Sequence, residues 1–452
     1  MAIRRVLIAN RGEIALRVIR SCTALGIETV LAASKADIGA VPTRHATRTV
    51  CIGPAAPSAS YLRVDTIVQA ALSTGCDAIH PGYGFLSERA DLALACEAEG
   101  ITFIGPTAEQ IAAVGDKLRA RAVAEAAGVP VVPGGAAETL ADAIALGERM
   151  GAPILVKAVG GGGGRGMKLV TDLAQLAPTL AIASAEAEAA FGDGRVYLER
   201  FVARGRHVEL QVLGDGMGGV IHLGERDCSV QRRYQKLIEE TPAPGLPEPL
   251  RDALREAGVR FARHLSYRGA GTVEFLVDVD AQEFYFLEMN ARIQVEHPVT
   301  EAVTGIDLIA EQIAIAEGTG LRLTQDAVRL IGVAIECRIN AEDPARDFAP
   351  CPGTVRAAHW PQGEGVRVDT HVAAGSGIPP YYDSLMAKII AHGPDRATAL
   401  ARLRAALDDT HVEGVATNLA FHRRVLADPD FAAGGVDTGF LPRFLIAQDA
   451  AQ

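Results

Sequence analysis

Short apolar runs near the start of the chain alternate with longer stretches in which apolar positions recur at helical spacing. Residues 6–9, 29–32, 78–80 and 102–104 read as strands, and 13–25, 61–73 and 91–99 as helices. Strands regularly separated by helices pair in parallel, so the first hundred residues predict an α/β unit. A helix rich in Ala and Arg follows at 117–127. The Gly-Val-Pro-Val-Val-Pro-Gly-Gly stretch at 128–135 then breaks regularity and marks a boundary. Beyond it the period changes to that of strands. Residues 154–170 read as strand, glycine loop and strand, and 196–202, 207–213 and 220–223 as further strands joined by turns such as Gly214-Asp215-Gly216, a mostly antiparallel sheet. A strand at 333–339, a Pro/Gly-rich stretch at 350–380 and a helix at 397–407 form a third unit.

Two polar patterns stand out from this frame. Runs 272–277 and 284–289 flank the turn Asp280-Ala281-Gln282, and a turn centred on Ala281 sets Glu274 directly opposite Glu288. Two like charges among Phe, Leu, Tyr and Met need compensation. A divalent, oxygen-seeking cation such as magnesium supplies it, whereas an edge hairpin with both carboxylates in water is the plain alternative. From there Glu288, Asn290, Arg292, Gln294 and Glu296 fill every second position, which in an extended segment puts them on one face. That face offers a cation for an anionic substrate, amides to orient it and a carboxylate to take a proton; a solvated edge strand has the same alternation.

The loop after Lys157 carries Gly160 to Gly164, then Arg165 and Gly166. So many glycines let backbone approach an anion closely, and a loop of this kind is expected to cover phosphates as a mobile lid. No Gly-Lys-Ser/Thr closes it as a Walker A loop would. Its match to Gly-x-Gly-x-x-Gly is trivial for a glycine run, and it leads into a strand pattern.

Length and charge narrow the classes. At about 150 residues per domain, 452 residues suggest three domains, and 49% hydrophobic residues can fill their cores. A net charge of −11 without blocks of one sign disfavours nucleic acid. Apolar runs such as 92–96 and 284–287 fall far short of the ~20 residues that span a bilayer, and the basic, then apolar N-terminus lacks a secretory pattern. The seven cysteines form no Cys-x-x-Cys pair, so they read as reduced thiols and the expected location is cytoplasmic.

Ile-Ala-Asn-Arg-Gly-Glu-Ile-Ala at 8–15, His-Pro-Gly-Tyr-Gly-Phe-Leu-Ser-Glu at 80–88, the glycine loop, Glu-Arg-Asp-Cys-Ser at 225–229 and the run 288–298 follow one another in order. Glu-Cys-Arg-Ile-Asn-Ala-Glu-Asp-Pro at 336–344 and Pro-Pro-Tyr-Tyr-Asp-Ser at 379–384 extend the set. Together they resemble biotin carboxylase, an ATP-grasp enzyme of acetyl-CoA carboxylase and related biotin-dependent carboxylases. The resemblance implies a multidomain α/β and α+β fold. Its parts would be an N-terminal parallel α/β domain (1–115), a central ATP-grasp domain (116–328, lid about 131–204) and a C-terminal mixed α/β domain (329–452). It implies that ATP phosphorylates bicarbonate to carboxyphosphate and that biotin, on a carrier protein, is carboxylated at N1.

By the same resemblance Lys117, Lys157 and His207 would touch ATP, Gly163 and Gly164 its phosphates, and Glu199, Arg200, Phe201 and Val202 its adenine. Glu274, Glu288 and Asn290 would hold magnesium or manganese. Lys236, Arg292, Gln294 and the Val295 backbone would hold bicarbonate, Glu296 would deprotonate it, and Arg338 would stabilise the biotin enolate. A structural ion pair of Arg338 with Glu336 or Asp343 is the plainer alternative. Tyr234 stands where the family commonly has His at the nucleotide site, and Arg200 where Lys is frequent. No Ala-Met-Lys-Met carrier motif occurs in the chain, so a separate biotin carboxyl carrier protein and carboxyltransferase subunits are the implied partners, with a homodimer as the implied assembly. The competing readings are another ATP-grasp carboxylate ligase, an inactive nucleotide-binding scaffold and a dinucleotide-dependent oxidoreductase.

Overall fold

The computed structural model describes residues 2–136, 140–159 and 167–450. The glycine loop 160–166, including Gly163 and Gly164, lies outside the described residues.

The N-terminal sheet is parallel throughout, in the order Arg48–Cys51, Glu28–Ala33, Arg5–Ile8, Ala78–His80, Thr102–Phe103. Its central strand is buried on both faces: Leu7 packs into one core, with Ile67 and Ala71 of the helix Val64–Thr74. Val6 and Ile8 pack into another, with Ile14, Val18 and Ile19 of the helix Gly12–Ala24. That is why the strand reads as a continuous apolar run. The helix expected from residue 61 begins at Val64. Tyr61 is instead tied into the preceding loop, its hydroxyl donating to Asp37 at 2.8 Å and accepting from the Ser34 N–H at 3.1 Å.

An eight-stranded antiparallel sheet forms the centre, in the order Glu283–Asn290, Arg268–Asp278, Gly205–Asp215, Val220–Arg232, Gln235–Thr241, Val333–Asn340, Leu385–Gly393, Val366–Thr370. It runs unbroken from the middle unit into the third, because Gln235–Thr241 pairs with Val333–Asn340. The strand expected at 220–223 continues to Arg232; its polar residues Glu225, Arg226, Asp227 and Ser229, which hid it from a hydrophobicity pattern, are buried and paired. A four-stranded antiparallel sheet, Gly134–Ala136, Val196–Arg200, Ile154–Ala158, Met167–Val170, carries its own small core of Ile154, Val156, Val170, Leu180 and Leu198. Glycine is required at Gly134: its φ is +158° and a Cβ would lie 2.1 Å from the Leu198 carbonyl oxygen.

Candidate active site

Four charged residues form a row across four neighbouring strands. Arg226 is the register partner of Glu209, Glu209 of Glu274 and Glu274 of Glu288. The pairing of Glu274 with Glu288 expected from the hairpin is present, although its turn is not centred on Ala281: near the turn Asp278 faces Glu283, and a bulge between Glu274 and Phe275 corrects the register. Glu274 meets His207 Nε2 at 2.9 Å and Lys236 Nζ at 2.9 Å. Burial would raise its carboxyl, but these two cations hold it well below the usual range. Glu288 goes the other way: burial and Glu274 push it up, against the pull of Lys117, and among the described residues its carboxylate accepts only a 3.3 Å bond from Asn290. Protein cations thus compensate one member of the pair, and the other keeps its oxygens open.

Lys236 gathers three carboxylates, Glu209 at 2.6 Å, Glu274 at 2.9 Å and Glu296 at 2.8 Å. The other oxygen of Glu296 meets Arg338 at 2.9 Å, and Arg338 Nε lies 2.6 Å from Glu239. Glu296 is fully buried. Burial alone would raise it, but Lys236, Arg338 and Arg226 keep it ionised far below the usual range. Arg338 therefore pairs with Glu296 and Glu239; Asp343, the alternative partner, pairs with Arg346.

The extended run expected through 296 stops at Asn290, and the helix His297–Thr304 begins directly after Glu296. The polar side chains still converge, because the chain bends inward: Arg292 donates to Gln294 at 2.8 Å and to Asn290 at 3.3 Å, and Gln294 donates to Glu274 at 3.3 Å. On its outer side Arg292 is held by Glu88 at 2.9 Å.

A cavity of about 1530 Å³ lies over this floor. The small sheet contributes Lys157, paired with Glu199, and Arg200, and the residues just after its strand Val196–Arg200 add Phe201 and Val202. Arg200 lies over the Tyr285 ring at 5.3 Å and near Asp278 at 3.6 Å, bridging the small sheet to the large one. Lys117 enters from the first turn of the helix Lys117–Ala126, and His207, Tyr234, Lys236, Asn290, Gln294, Val295 and Arg338 complete the wall. Tyr234 sits at a hairpin tip with φ +67°, half exposed. Of the described candidates Glu296 does not line the cavity; it lies directly beneath, touching it through Lys236 and Arg338.

Glu209, Glu239, Glu88 and the Lys388–Glu13 pair at 3.1 Å were not singled out from sequence. A signal existed for Glu209: His207, Glu209 and Gln211 alternate as 288–296 do. None existed for Glu239, whose partner Arg338 is distant in sequence.

The Arg338 carbonyl is anchored from behind by Asn418 at 3.0 Å and by His422 Nε2–H at 2.7 Å. Burial lowers His422 to about 4, so the fold favours its neutral form. Its contribution to stability is present above the ordinary histidine value and is lost as pH falls toward about 4. The stability difference between the protein and His422→Gln is therefore expected to shrink as pH is lowered from 6.5 to 4. A pH-independent difference in denaturant midpoints would refute this.

A buried charged floor thus lies under a small, cation-bearing sheet, and the match to known proteins makes this the site of an ATP-dependent ligase of the ATP-grasp class. Three family models match in order: biotin carboxylase N-terminal domain at 2–111, carbamoyl-phosphate synthase L chain ATP binding domain at 116–324, and biotin carboxylase C-terminal domain at 336–443. The chain is 52% identical over 443 residues to biotin carboxylase of Nostoc sp., covering 98% of this chain and 99% of that protein. It superposes on the biotin carboxylase domain dimer of Hydrogenobacter thermophilus 2-oxoglutarate carboxylase, in complex with MgADP, ADP and bicarbonate. There the TM-score is 0.93 at 44% identity, over 98% of each chain. For the biotin carboxylase–beta-gamma-ATP complex from Campylobacter jejuni the TM-score is 0.94, also at 44% identity, over 98% of this chain and 99% of that one. The chain belongs to the biotin carboxylase family. It is an ATP-dependent ligase that carboxylates biotin with bicarbonate.

Proposed function

We propose that the two half-reactions share the Lys236–Glu296–Arg338 cluster, with Lys236, Arg292, Gln294 and the Val295 backbone holding bicarbonate and Glu296 taking its proton. The observation that carries this is the two-sided pairing of Glu296, to Lys236 at 2.8 Å and to Arg338 at 2.9 Å. Bicarbonate becomes a competent nucleophile only as it loses its proton; Glu296 is ionised and so can accept it, but the cations that hold its carboxyl down keep it a weak base until one of them withdraws. When Arg338 turns from Glu296 to the developing negative charge on the biotin oxygen, Glu296 loses one of its cations and binds a proton more readily. The proton and the second substrate are thereby linked through one guanidinium.

On the nucleotide side, Lys117, Lys157 and His207 bind ATP, Glu199, Arg200, Phe201 and Val202 border its adenine, Tyr234 flanks it, and Gly163 and Gly164 of the glycine loop reach its phosphates. Glu274, Glu288 and Asn290 offer an all-oxygen donor set suited to magnesium or manganese, and the open oxygens of Glu288 favour that fit. When bound, the metal would spread the charge of the phosphates during transfer. The residues themselves align bicarbonate with the phosphoryl group and exclude water.

The units 1–115, 116–328 (lid 131–204) and 329–452 are proposed as the working domains. The implied partners are a biotin carboxyl carrier protein and carboxyltransferase subunits, in the first half-reaction of acetyl-CoA carboxylase or a related acyl-CoA or pyruvate carboxylase. A cytoplasmic homodimer is the proposed form, and among the described residues no helix is long and apolar enough to cross a membrane.

The test separates the half-reactions. Arg338→Ala is expected to lower biotin carboxylation about a hundredfold, the cost of one charge-assisted contact to a developing oxyanion. Bicarbonate-dependent ATP cleavage without biotin should fall far less. Equal loss of both activities in a normally folded variant would assign Arg338 to the phosphoryl step as well.

A further inference from the structure

Beneath Arg338 lies a pair of carboxyls that this chemistry does not use. Glu239 and Glu336 are register partners on adjacent strands, so their side chains share one face of the sheet. Both are fully buried, and among the described residues their four oxygens accept no well-aligned hydrogen bond; only Glu239 Oε1 has a close cation, Arg338 Nε at 2.6 Å. The nearby cations are engaged elsewhere or on one side only. Lys388, on the next strand, donates to the Val295 carbonyl at 2.8 Å and pairs with Glu13 at 3.1 Å, and Arg338 divides itself between Glu239 and Glu296. His297, at the head of the helix above, is buried and held neutral. Two adjacent buried carboxylates repel, and the oxygens left without a partner are costly; one proton between them relieves both, since a carboxylic acid can donate to its neighbour.

We infer that Glu336 is a positioning residue: it remains a neutral carboxylic acid and donates a hydrogen bond to Glu239, which stays the anion that fixes Arg338 for biotin. The inference rests on the reading of Arg338 above. Burial and Glu239 push Glu336 well up, against the opposing pull of Lys388 and Arg338, while burial raises Glu239 only to about 7 against the pull of Arg338, so Glu239 is the member that ionises first and is the anion at pH 8. The arrangement matters most when Glu296 has taken the bicarbonate proton, because Glu239 is then the remaining carboxylate on Arg338.

Glu336→Gln retains a donor without a charge, and Glu336→Met removes the donor at similar size. Glu336→Gln is expected to stay within about threefold of the parent in both half-reactions. Glu336→Met should lose about tenfold in biotin carboxylation, the effect of one buried hydrogen bond, with bicarbonate-dependent ATP cleavage nearly unchanged. Equal impairment of both variants would overturn the inference, as would parental activity in both. An infrared difference spectrum at pH 8, parent minus Glu336→Gln, should carry the band of a protonated carboxyl. Its absence overturns the inference however the Met variant folds. A parent protein without biotin-dependent turnover would sink the reading of Arg338, and the infrared band would still decide where the proton resides.

Discussion

Glu296→Gln is expected to fold and to lower bicarbonate-dependent ATP cleavage by about 10²- to 10⁴-fold, the range for losing a general base. The single amide oxygen can still accept from Lys236 or from Arg338, but the NH2 then faces the other cation as a donor, and the amide cannot take a proton. The substitution also leaves two buried cations short of one counter-charge, so a lower melting temperature should accompany the loss. Kinetics with bicarbonate varied would check it: the loss should lie in kcat, with a smaller change in the KM for ATP. Activity within tenfold of the parent would remove Glu296 from the role of base.

The second large effect is expected at Glu288. Glu288→Gln should lower kcat about 10³-fold, since metal-borne stabilisation of phosphoryl charge is worth several kcal/mol, and should raise the magnesium concentration needed for half-maximal rate. Its stability should move the opposite way from that of Glu296→Gln. Burial and Glu274 disfavour the Glu288 charge, and removing it relieves that repulsion, leaving the melting temperature equal or higher. A variant with parental magnesium dependence would contradict the assignment of Glu288 as a ligand.

The contrast between these two carboxylates indicates what was legible in the sequence. Local pattern sufficed for the parallel first unit and for the opposition of Glu274 and Glu288, although the latter depended on a bulge that no pattern predicts. It failed where burial is polar. The strand Val220–Arg232 carries buried Arg226 and Glu225, so its inner face did not look apolar, and its second half went unread. It also failed where partners lie far apart: Lys236 meets Glu209, Glu274 and Glu296, and Arg338 meets Glu239, through strand pairings closed only in the folded sheet. Family resemblance supplied Lys236 and Arg338, because a lone Lys or Arg carries no local signal. The continuous sheet joining the second and third units was likewise invisible, since the pairing of Ile238 with Cys337 bridges about a hundred residues of other structure.

The most direct test of the shared cluster follows the carbon. With labelled bicarbonate, ATP, magnesium and free biotin, the protein should transfer label to biotin, each carboxybiotin accompanied by at least one ADP. Arg338→Ala should continue to cleave ATP in a bicarbonate-dependent way while label on biotin falls about a hundredfold. ATP cleavage indifferent to bicarbonate, or label reaching biotin at the parental rate without Arg338, would contradict the account.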